Sequence, residues 1–272
     1  SKEGPYSITI PEETNAGTYT VWYRVQETQN YTGLAPEKVD VTISKKTVSP
    51  IITLSGDGLS TDSASASPMQ FYIYDGTAKT PDVKLTEADG TTIIPYTEYT
   101  VSYSNNTDVG TATVTVTAKN DGNYSFSDVS KNFRIDKKKA VVTTAPKMAG
   151  DPLTYNTRAQ QLVTEGAGSG GTVVYSLSPI DPKNPATYSE NIPQKTDAGT
   201  YTVYYMVKGD GNHSDSDEGQ VTVTIAPKTV KDPTIELLDE NGDPLVSYTY
   251  DGTPKKPTVV VKDGSTVIGD DV

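Results

Sequence analysis

The 272-residue sequence contains no cysteine, which excludes disulfide scaffolds, thiolate metal sites and a cysteine nucleophile. It contains one histidine, His213, and triad chemistry or a histidine-ligated metal site is hard to build with one. Tyrosines occupy the equivalent repeat positions 31 and 124. We therefore expect His213 to be a turn residue, and the protein to be a non-enzyme without a cofactor.

Long apolar runs are also absent. No stretch approaches the ~18 apolar residues of a membrane span, and the first residues lack the layout of a signal peptide. Positive charge is scarce, because 23 Lys and Arg face 35 Asp and Glu, giving a net charge of −12. This deficit of positive charge disfavours nucleic acid and anionic lipid as partners, because both bind to positively charged surfaces. We expect no membrane insertion in this sequence.

Helical periodicity is missing as well, since Pro or Gly interrupts the sequence every few residues. The residues that are abundant favour pleated strands joined by turns: 18 Tyr, 22 Gly and 18 Pro, with many Thr and Val. This composition predicts an all-β protein.

Three segments of the sequence superpose without a gap. Each opens with Asn or Asp, continues through Gly-Thr into an alternating strand, and reaches a second Asn fifteen residues after the first. The pairs are Asn15 and Asn30, Asp108 and Asn123, and Asp197 and Asn212. Asn tolerates the left-handed region and bonds its own backbone, so we interpret the second Asn as a turn residue.

A second motif, Tyr-Asp-Gly-Thr, occurs at 74–77 and 250–253, with Tyr155-Asn156-Thr157-Arg158 at the equivalent place between them. The two motifs together define a repeat of about 90 residues. They divide the sequence into a leading half-repeat (1–45), a first full repeat (46–137), a second full repeat (138–227) and a trailing half-repeat (228–272). The leading half-repeat carries the C-terminal strands of a repeat and the trailing one carries the N-terminal strands.

Alternation within the strands predicts their buried face. Tyr201, Val203, Tyr205 and Val207 fall on one side, which we assign to the core. Asp-Gly and Asn-Gly pairs between the apolar runs favour hairpin turns. Short strands with turn signals about every 8 to 12 residues are typical of immunoglobulin-like β-sandwiches. We expect these sandwiches to form tandem repeats in a rod-like arrangement.

The Tyr-Asp-Gly-Thr motif, the Gly-Thr strand, the Gly-Asn-Tyr turn and the closing Thr-Ile strand resemble the MBG- and YDG-type tandem repeats of bacterial cell-surface, adhesin-like proteins. Asn156-Thr157 departs from the Asp-Gly form of that motif. The resemblance implies an exported, non-catalytic structural spacer or adhesive segment with an extracellular location, at the cell surface or in the cell wall. It brings no catalytic residues. Glycans and host or cell-surface proteins are the partners that this implies.

Trp22 and Tyr204 occupy the same strand position on the face opposite the predicted core. An aromatic ring on an outer sheet face can stack on a sugar ring or contact a protein, so both residues are candidate ligand-binding residues. The alternative function is a carbohydrate-binding accessory module of a secreted glycosidase. A third interpretation is that a neighbouring strand or domain covers the two rings.

One acidic loop has alternating oxygen donors, as a calcium loop requires: Asp210, Asn212, Ser214, Asp215 and Asp217. Position 12 of the loop is Val221 instead of Glu, and the equivalent loop of the leading half-repeat has almost no carboxylates. A solvated loop is therefore favoured over a metal site.

The two half-repeats are complementary, because each carries the strands that the other lacks. Half of a sandwich exposes one side of its core and its unpaired strand edges. We expect head-to-tail self-association through the half-repeats, with packing of each half against its sequence neighbour as the alternative.

Overall fold

The computed structural model describes residues 2–62, 68–150, 152–181 and 188–268 and confirms that the protein is all-β. Within those ranges, a single 3-10 turn at Tyr96–Glu98 accompanies the strands. The strands up to residue 139 are β1 (Gly17–Tyr23), β2 (Glu37–Ile43), β3 (Lys46–Thr47), β4 (Ile51–Ser55), β5 (Ser60–Thr61), β6 (Gln70–Ile73), β7 (Asp82–Thr86), β8 (Tyr99–Ser104), β9 (Gly110–Ala118), β10 (Tyr124–Ser125), β11 (Val129–Asp136) and β12 (Lys138–Lys139).

The remaining strands continue in chain order from residue 141. They are β13 (Val141–Thr144), β14 (Leu153–Thr154), β15 (Gln160–Gln161), β16 (Ala167–Ser169), β17 (Gly171–Ser176), β18 (Gln194–Lys195), β19 (Gly199–Gly209), β20 (His213–Ser214), β21 (Gly219–Ala226), β22 (Thr234–Leu238), β23 (Thr258–Asp263) and β24 (Thr266–Val267).

The chain forms two compact units. The first contains residues up to 141 together with 169–172 and 207–216, and the second contains 142–168, 173–206 and the residues from 217 onward.

The core of the first unit lies between two sheets. One sheet has five strands in the order β5-β6-β11-β9-β8, and the other pairs β4 with β7. Their facing side chains form one hydrophobic cluster, which includes Ile52, Leu54, Tyr72, Leu85, Ile94, Tyr99, Ala112, Val114, Val116, Phe133 and Ile135. At the centre of β9, Ala112, Val114 and Val116 are fully buried while the threonines between them reach solvent, so the strand period of two sets the core face.

The first unit also contains an antiparallel hairpin and two short parallel pairs. Strands β1 and β2 pair over their whole length, from Gly17 opposite Ile43 to Tyr23 opposite Glu37. Strand β3 pairs in parallel with β10, and β12 pairs in parallel with β20.

The second unit contains a four-stranded sheet in the order β14-β21-β19-β17, together with the pairs β13–β16 and β15–β18. Strands β19 and β21 run antiparallel from Gly199 opposite Ile225. Val203 is fully buried, as the alternation predicts, whereas Tyr201 is only half-buried because its hydroxyl reaches back to the backbone of Asp197. Strands β22, β23 and β24 form a separate antiparallel sheet.

Candidate binding surfaces

The two candidate aromatic residues occupy matching places in their sheets. Trp22 on β1 lies opposite Lys38 of β2, and Tyr204 on β19 lies opposite Gln220 of β21. Both rings are half-buried. The structure therefore confirms their structural equivalence and gives neither ring the full exposure of an open stacking platform.

Tyr204 lies close to a second phenol of its own unit. Tyr188 donates its hydroxyl hydrogen bond to the Glu218 carboxylate, which also accepts from the Ile180 N–H at 2.7 Å. Burial, the hydrogen bond to Glu218 and the charge of that carboxylate raise the pKa of Tyr188, and Tyr204 adds a smaller contribution. The sheet surface beside Tyr204 thus carries a phenol–carboxylate pair from a neighbouring loop.

The acidic loop that was weighed as a calcium site has polar partners within the protein. The Oδ1 atom of Asp210 accepts from the Asn212 N–H and lies 2.8 Å from His213 Nδ1, and these contacts, that with His213 first, lower the pKa of Asp210. Asp215 accepts from Lys208 Nζ at 2.7 Å and from the Gly209 N–H at 2.9 Å.

The remaining residues of that loop have partners as well. Ser214 accepts a backbone hydrogen bond from Ala140 at 2.9 Å, and Asp217 also has an interaction partner. The described ranges hold no group of three His, Cys, Asp or Glu side chains that could bind a metal ion.

The Tyr-Asp-Gly-Thr motif forms a carboxylate-closed turn. Asp75 accepts from the Thr77 N–H at 2.9 Å and from the Thr77 hydroxyl at 2.6 Å, and Lys79 Nζ lies 2.5 Å from its second oxygen. Asp251 has the same arrangement with Thr253 and Lys255. The motif that carries the family resemblance is therefore a turn with a local structural role.

Two lysines of the first unit each anchor the loop of the repeat that follows them. Lys45 Nζ donates to the carbonyls of Lys119 at 3.1 Å and Asn120 at 2.7 Å. Lys137 Nζ donates to the carbonyls of Asp210 and His213. A lysine immediately before a repeat thus binds a loop about 75 residues further on.

The second Asn of the repeat motif contacts the first motif residue of the preceding repeat. The Asn123 side chain accepts from the Ala16 N–H at 2.6 Å and donates to Asn15 Oδ1 at 3.1 Å. We call Asn15 with Asn123, and its counterpart below, a junction pair.

The second junction pair is Asp108 with Asn212. The Asn212 side chain accepts from the Val109 N–H at 2.9 Å and donates to Asp108 Oδ1 at 3.0 Å. The hydrogen bonds are those of the first pair, atom for atom, with a carboxylate oxygen replacing an amide oxygen. A single side chain therefore satisfies one backbone donor and one side-chain acceptor at each junction.

His213 is the aromatic residue that follows the second Asn. Its ring meets Tyr74 of the first full repeat edge to face, with centroids 5.3 Å apart. Gly170 lies against the same ring, since a Cβ atom there would come within 2.6 Å of it. The expectation of a turn residue is therefore corrected, because His213 begins strand β20 directly after the Asn212 turn. Its ring packs as an aromatic side chain, as the tyrosines at the equivalent positions suggested.

One face of the β1–β2 hairpin is open. A groove of about 780 Å³ runs along it and is lined by Ile10, Pro11, Glu12, Glu13, Thr14, Tyr19, Thr20, Val21, Val39, Val41 and Ile43. The equivalent hairpin of the first full repeat, β9 with β11, is covered on that face by β4 and β7. The trailing half-repeat has the converse feature, because Ile235, Leu237 and Val259 of β22 and β23 are exposed.

Sequence reasoning assigned the second Asn to its own turn and gave Lys45 and Lys137 no role. The available signal was the fixed fifteen-residue spacing between a position that is always Asn or Asp and one that is always Asn. Spacing within one repeat does not show that the two positions meet across successive repeats.

No family model matches the sequence, and neither does any curated protein. The similar solved structures include one titled protocadherin gammaB7 EC3-6 cis-dimer structure, 16% identical over 90% of this chain and 68% of that chain, with a TM-score of 0.24. In the described ranges no helix is long and apolar enough to cross a membrane. These comparisons assign the chain to no family.

Proposed function

We propose that this chain is a non-catalytic structural spacer or adhesive segment of a bacterial cell-surface protein. Immunoglobulin-like β-sandwich repeats of about 90 residues follow one another in it and form a rod. Its purpose is to hold another domain away from the surface, and adhesion by the repeats themselves would use their outer faces.

The recurrence of one junction carries this proposal. The first unit contains the lysine contact, the short parallel strand pair and the junction pair twice, at equivalent sequence positions. A contact that is built twice from the same residue types is a device for joining repeats. Serial connection of this kind is what a spacer requires.

The proposal is tested by small-angle X-ray scattering of the 272-residue chain together with a glycan array. A rod gives a pair-distance distribution with a long tail, and a compact globule would contradict the spacer. Trp22→Ala and Tyr204→Ala variants are applied to the array beside the parent. Glycan binding that both variants abolish would replace the spacer by the carbohydrate-binding module.

A further inference from the structure

A pocket of about 510 Å³ lies between two turns of the first full repeat. One wall is the turn at residues 56–58, which follows β4, and the other is the Tyr-Asp-Gly-Thr turn with the start of β7. All of the lining residues belong to the first unit, and none of them is part of a junction pair. A volume of this size is within the range of small-molecule binding sites.

A buried phenol opens into this pocket. Tyr72 is only 7% exposed, and its hydroxyl has no hydrogen-bond partner within the ranges that the structure describes. By contrast, Tyr99 of the same core donates to the Val83 carbonyl at 3.3 Å. Tyr103 likewise donates to the Pro81 carbonyl at 2.7 Å. No buried side-chain oxygen or nitrogen of the described residues lacks both a partner and access to solvent, so the Tyr72 hydroxyl reaches the pocket that its side chain lines.

Two aspartates line the same pocket. Asp57 and Asp82 are exposed, and in the described part of the chain neither carboxylate has a hydrogen bond or an ion pair. The Tyr72 hydroxyl and one Asp82 oxygen lie 3.4 and 3.9 Å from where a Cβ atom of Gly56 would stand. Burial, and then the charges of Asp82 and Asp57, raise the pKa of Tyr72. Both carboxylates are therefore close enough to the phenol to act on it.

The lysine that lines the pocket is bound to its own turn. Lys79 Nζ lies 2.5 Å from Asp75 and donates to the Thr77 hydroxyl at 3.2 Å. It also lies 5.7 Å from the centroid of the Tyr72 ring, in a cation–π contact. Its charge offsets that of Asp75, so the pocket keeps a surplus of two negative charges.

The turn does not require this surplus charge. In the trailing half-repeat, Lys255 pairs with Asp251 and lies 5.8 Å from the centroid of the Tyr248 ring. Thr258 there occupies the place of Asp82. The Tyr-Asp-Gly-Thr turn thus forms in the same way without the second carboxylate.

The charge and shape of the pocket favour an organic cation. Unpaired carboxylates and a phenol oxygen suit a positively charged N–H donor, because charge-assisted hydrogen bonds are the stronger ones. A sugar would use an open aromatic face, but the Tyr72 ring is in contact with Lys79 and meets Phe133 edge to face at 5.8 Å. A metal ion is disfavoured, since the described ranges hold no group of three His, Cys, Asp or Glu side chains that could bind one.

We propose that this pocket binds an organic ammonium group, which donates to the carboxylates of Asp57 and Asp82 and to the Tyr72 oxygen. The alkyl chain of the ligand lies against Ile73 and Ala78, which also line the pocket. The ammonium group belongs to a free polyamine or to a lysine side chain of a partner protein. This binding site goes beyond the spacer role and does not rest on it.

The site is tested by an NMR titration of the intact, isotope-labelled 272-residue chain with 1,5-diaminopentane. Saturable shifts are expected for amides of the pocket lining, such as those of Gly58 and Ile73. The neutral 1,5-pentanediol has the same chain length and is the matched ligand, and it should leave these amides unchanged. N-acetyl-lysinamide is titrated in parallel: saturable binding identifies a lysine side chain as the source, and binding of the diamine alone identifies a free polyamine.

Asp57→Asn and Asp82→Asn are each expected to weaken binding of the diamine by roughly tenfold, because each removes one charge-assisted hydrogen bond. Tyr72→Phe keeps the ring and removes the hydroxyl, so it should weaken binding as well. Asp128→Asn is the matched control, because Asp128 is an exposed aspartate of the same unit that does not line the pocket. It should leave the affinity unchanged.

Three results would overturn the site: shifts that grow without saturation, equal shifts with 1,5-pentanediol, or an affinity that neither the Asp57 nor the Asp82 variant changes. Saturable shifts of the same amides with calcium chloride, and none with the diamine, would make the pocket a metal site and overturn the ammonium assignment. None of these results affects the scattering profile of the chain. The spacer and the binding site therefore fail independently.

Discussion

Tyr201 donates a hydrogen bond from its phenol to the backbone carbonyl of Asp197 at 2.9 Å, and Tyr19 makes the same bond to Asn15 at 2.8 Å. In each case the phenol oxygen lies 3.3 Å from where a Cβ atom of the intervening glycine would stand. In each copy the ring thus fixes, from the strand side, the turn that carries Asn15 or Asp197. The first full repeat has Ala112 at this position and lacks the phenol.

Tyr201→Phe is expected to loosen the Asp197 turn, because it removes a hydrogen bond and leaves the ring. The loss is about 0.5–1.5 kcal/mol of local stability, typical of one hydrogen bond. Amide hydrogen exchange in β19 and β21, followed by mass spectrometry, measures it. Tyr96→Phe is the control, since Tyr96 is 79% exposed, and equal effects of the two changes would remove the role of the Tyr201 hydroxyl.

Val203→Ala is expected to destabilise the second unit by about 1–3 kcal/mol, because Val203 is fully buried and its truncation leaves a cavity. Thr222 on the paired strand β21 is exposed, so Thr222→Ala should cost less than about 0.5 kcal/mol. Amide hydrogen exchange in β19 and β21 measures both losses. A local method is needed because a chain with two units need not unfold in one step. Similar losses at the two positions would mean that the core face is misassigned.

Asn212→Asp is expected to break its junction pair, because it places a second carboxylate 3.0 Å from the Asp108 oxygen and removes the N–H donor. Adding Asp108→Asn should restore the pair, since the donor and acceptor have exchanged sides. Asn212→Ala removes both hydrogen bonds and should speed exchange of the Val109 amide by roughly tenfold, as expected for a bond worth about 1.4 kcal/mol. A double variant no better than Asn212→Asp alone would contradict the pairing.

Acid is expected to weaken the carboxylate-closed turns. Lys255 and Thr253 lower the pKa of Asp251 from 3.8 to about 2, and Lys79 and Thr77 lower the pKa of Asp75. Because the folded pKa is the lower one, the ionised form stabilises the turn above pH 3.8, and this contribution is lost as the pH falls through the folded value.

Carboxyl NMR titration measures the effect directly. The Asp251 signal should have its midpoint near pH 2, and Lys255→Gln should move that midpoint toward 3.8. An unchanged midpoint in the Lys255→Gln chain would show that the lysine is not the main cause.

The strand pattern was predictable where one side of a strand is core. Val114, Val116 and Val203 are fully buried because burial repeats every second residue in a strand. Tyr201 was less predictable, since its hydroxyl needs a polar partner and the ring leaves the core to reach one.

The junction pairs could not be derived from the sequence. The motif showed which residues recur, and local turn chemistry is sufficient to explain an Asn at such a place. Which turn meets which strand is decided by packing between segments that are more than a hundred residues apart. The surroundings of Tyr204 likewise include Tyr188, which lies outside its strand.

The junction pairs join residues 103 to 108 positions apart in the chain. Chains grow from the N-terminus during synthesis. The turn that carries Asn15 or Asp108 is therefore made long before the asparagine that pairs with it leaves the ribosome. Each junction can therefore close only after most of the following repeat has been made. A growing chain of this kind would stiffen from its N-terminal end, always about one repeat behind the point of elongation.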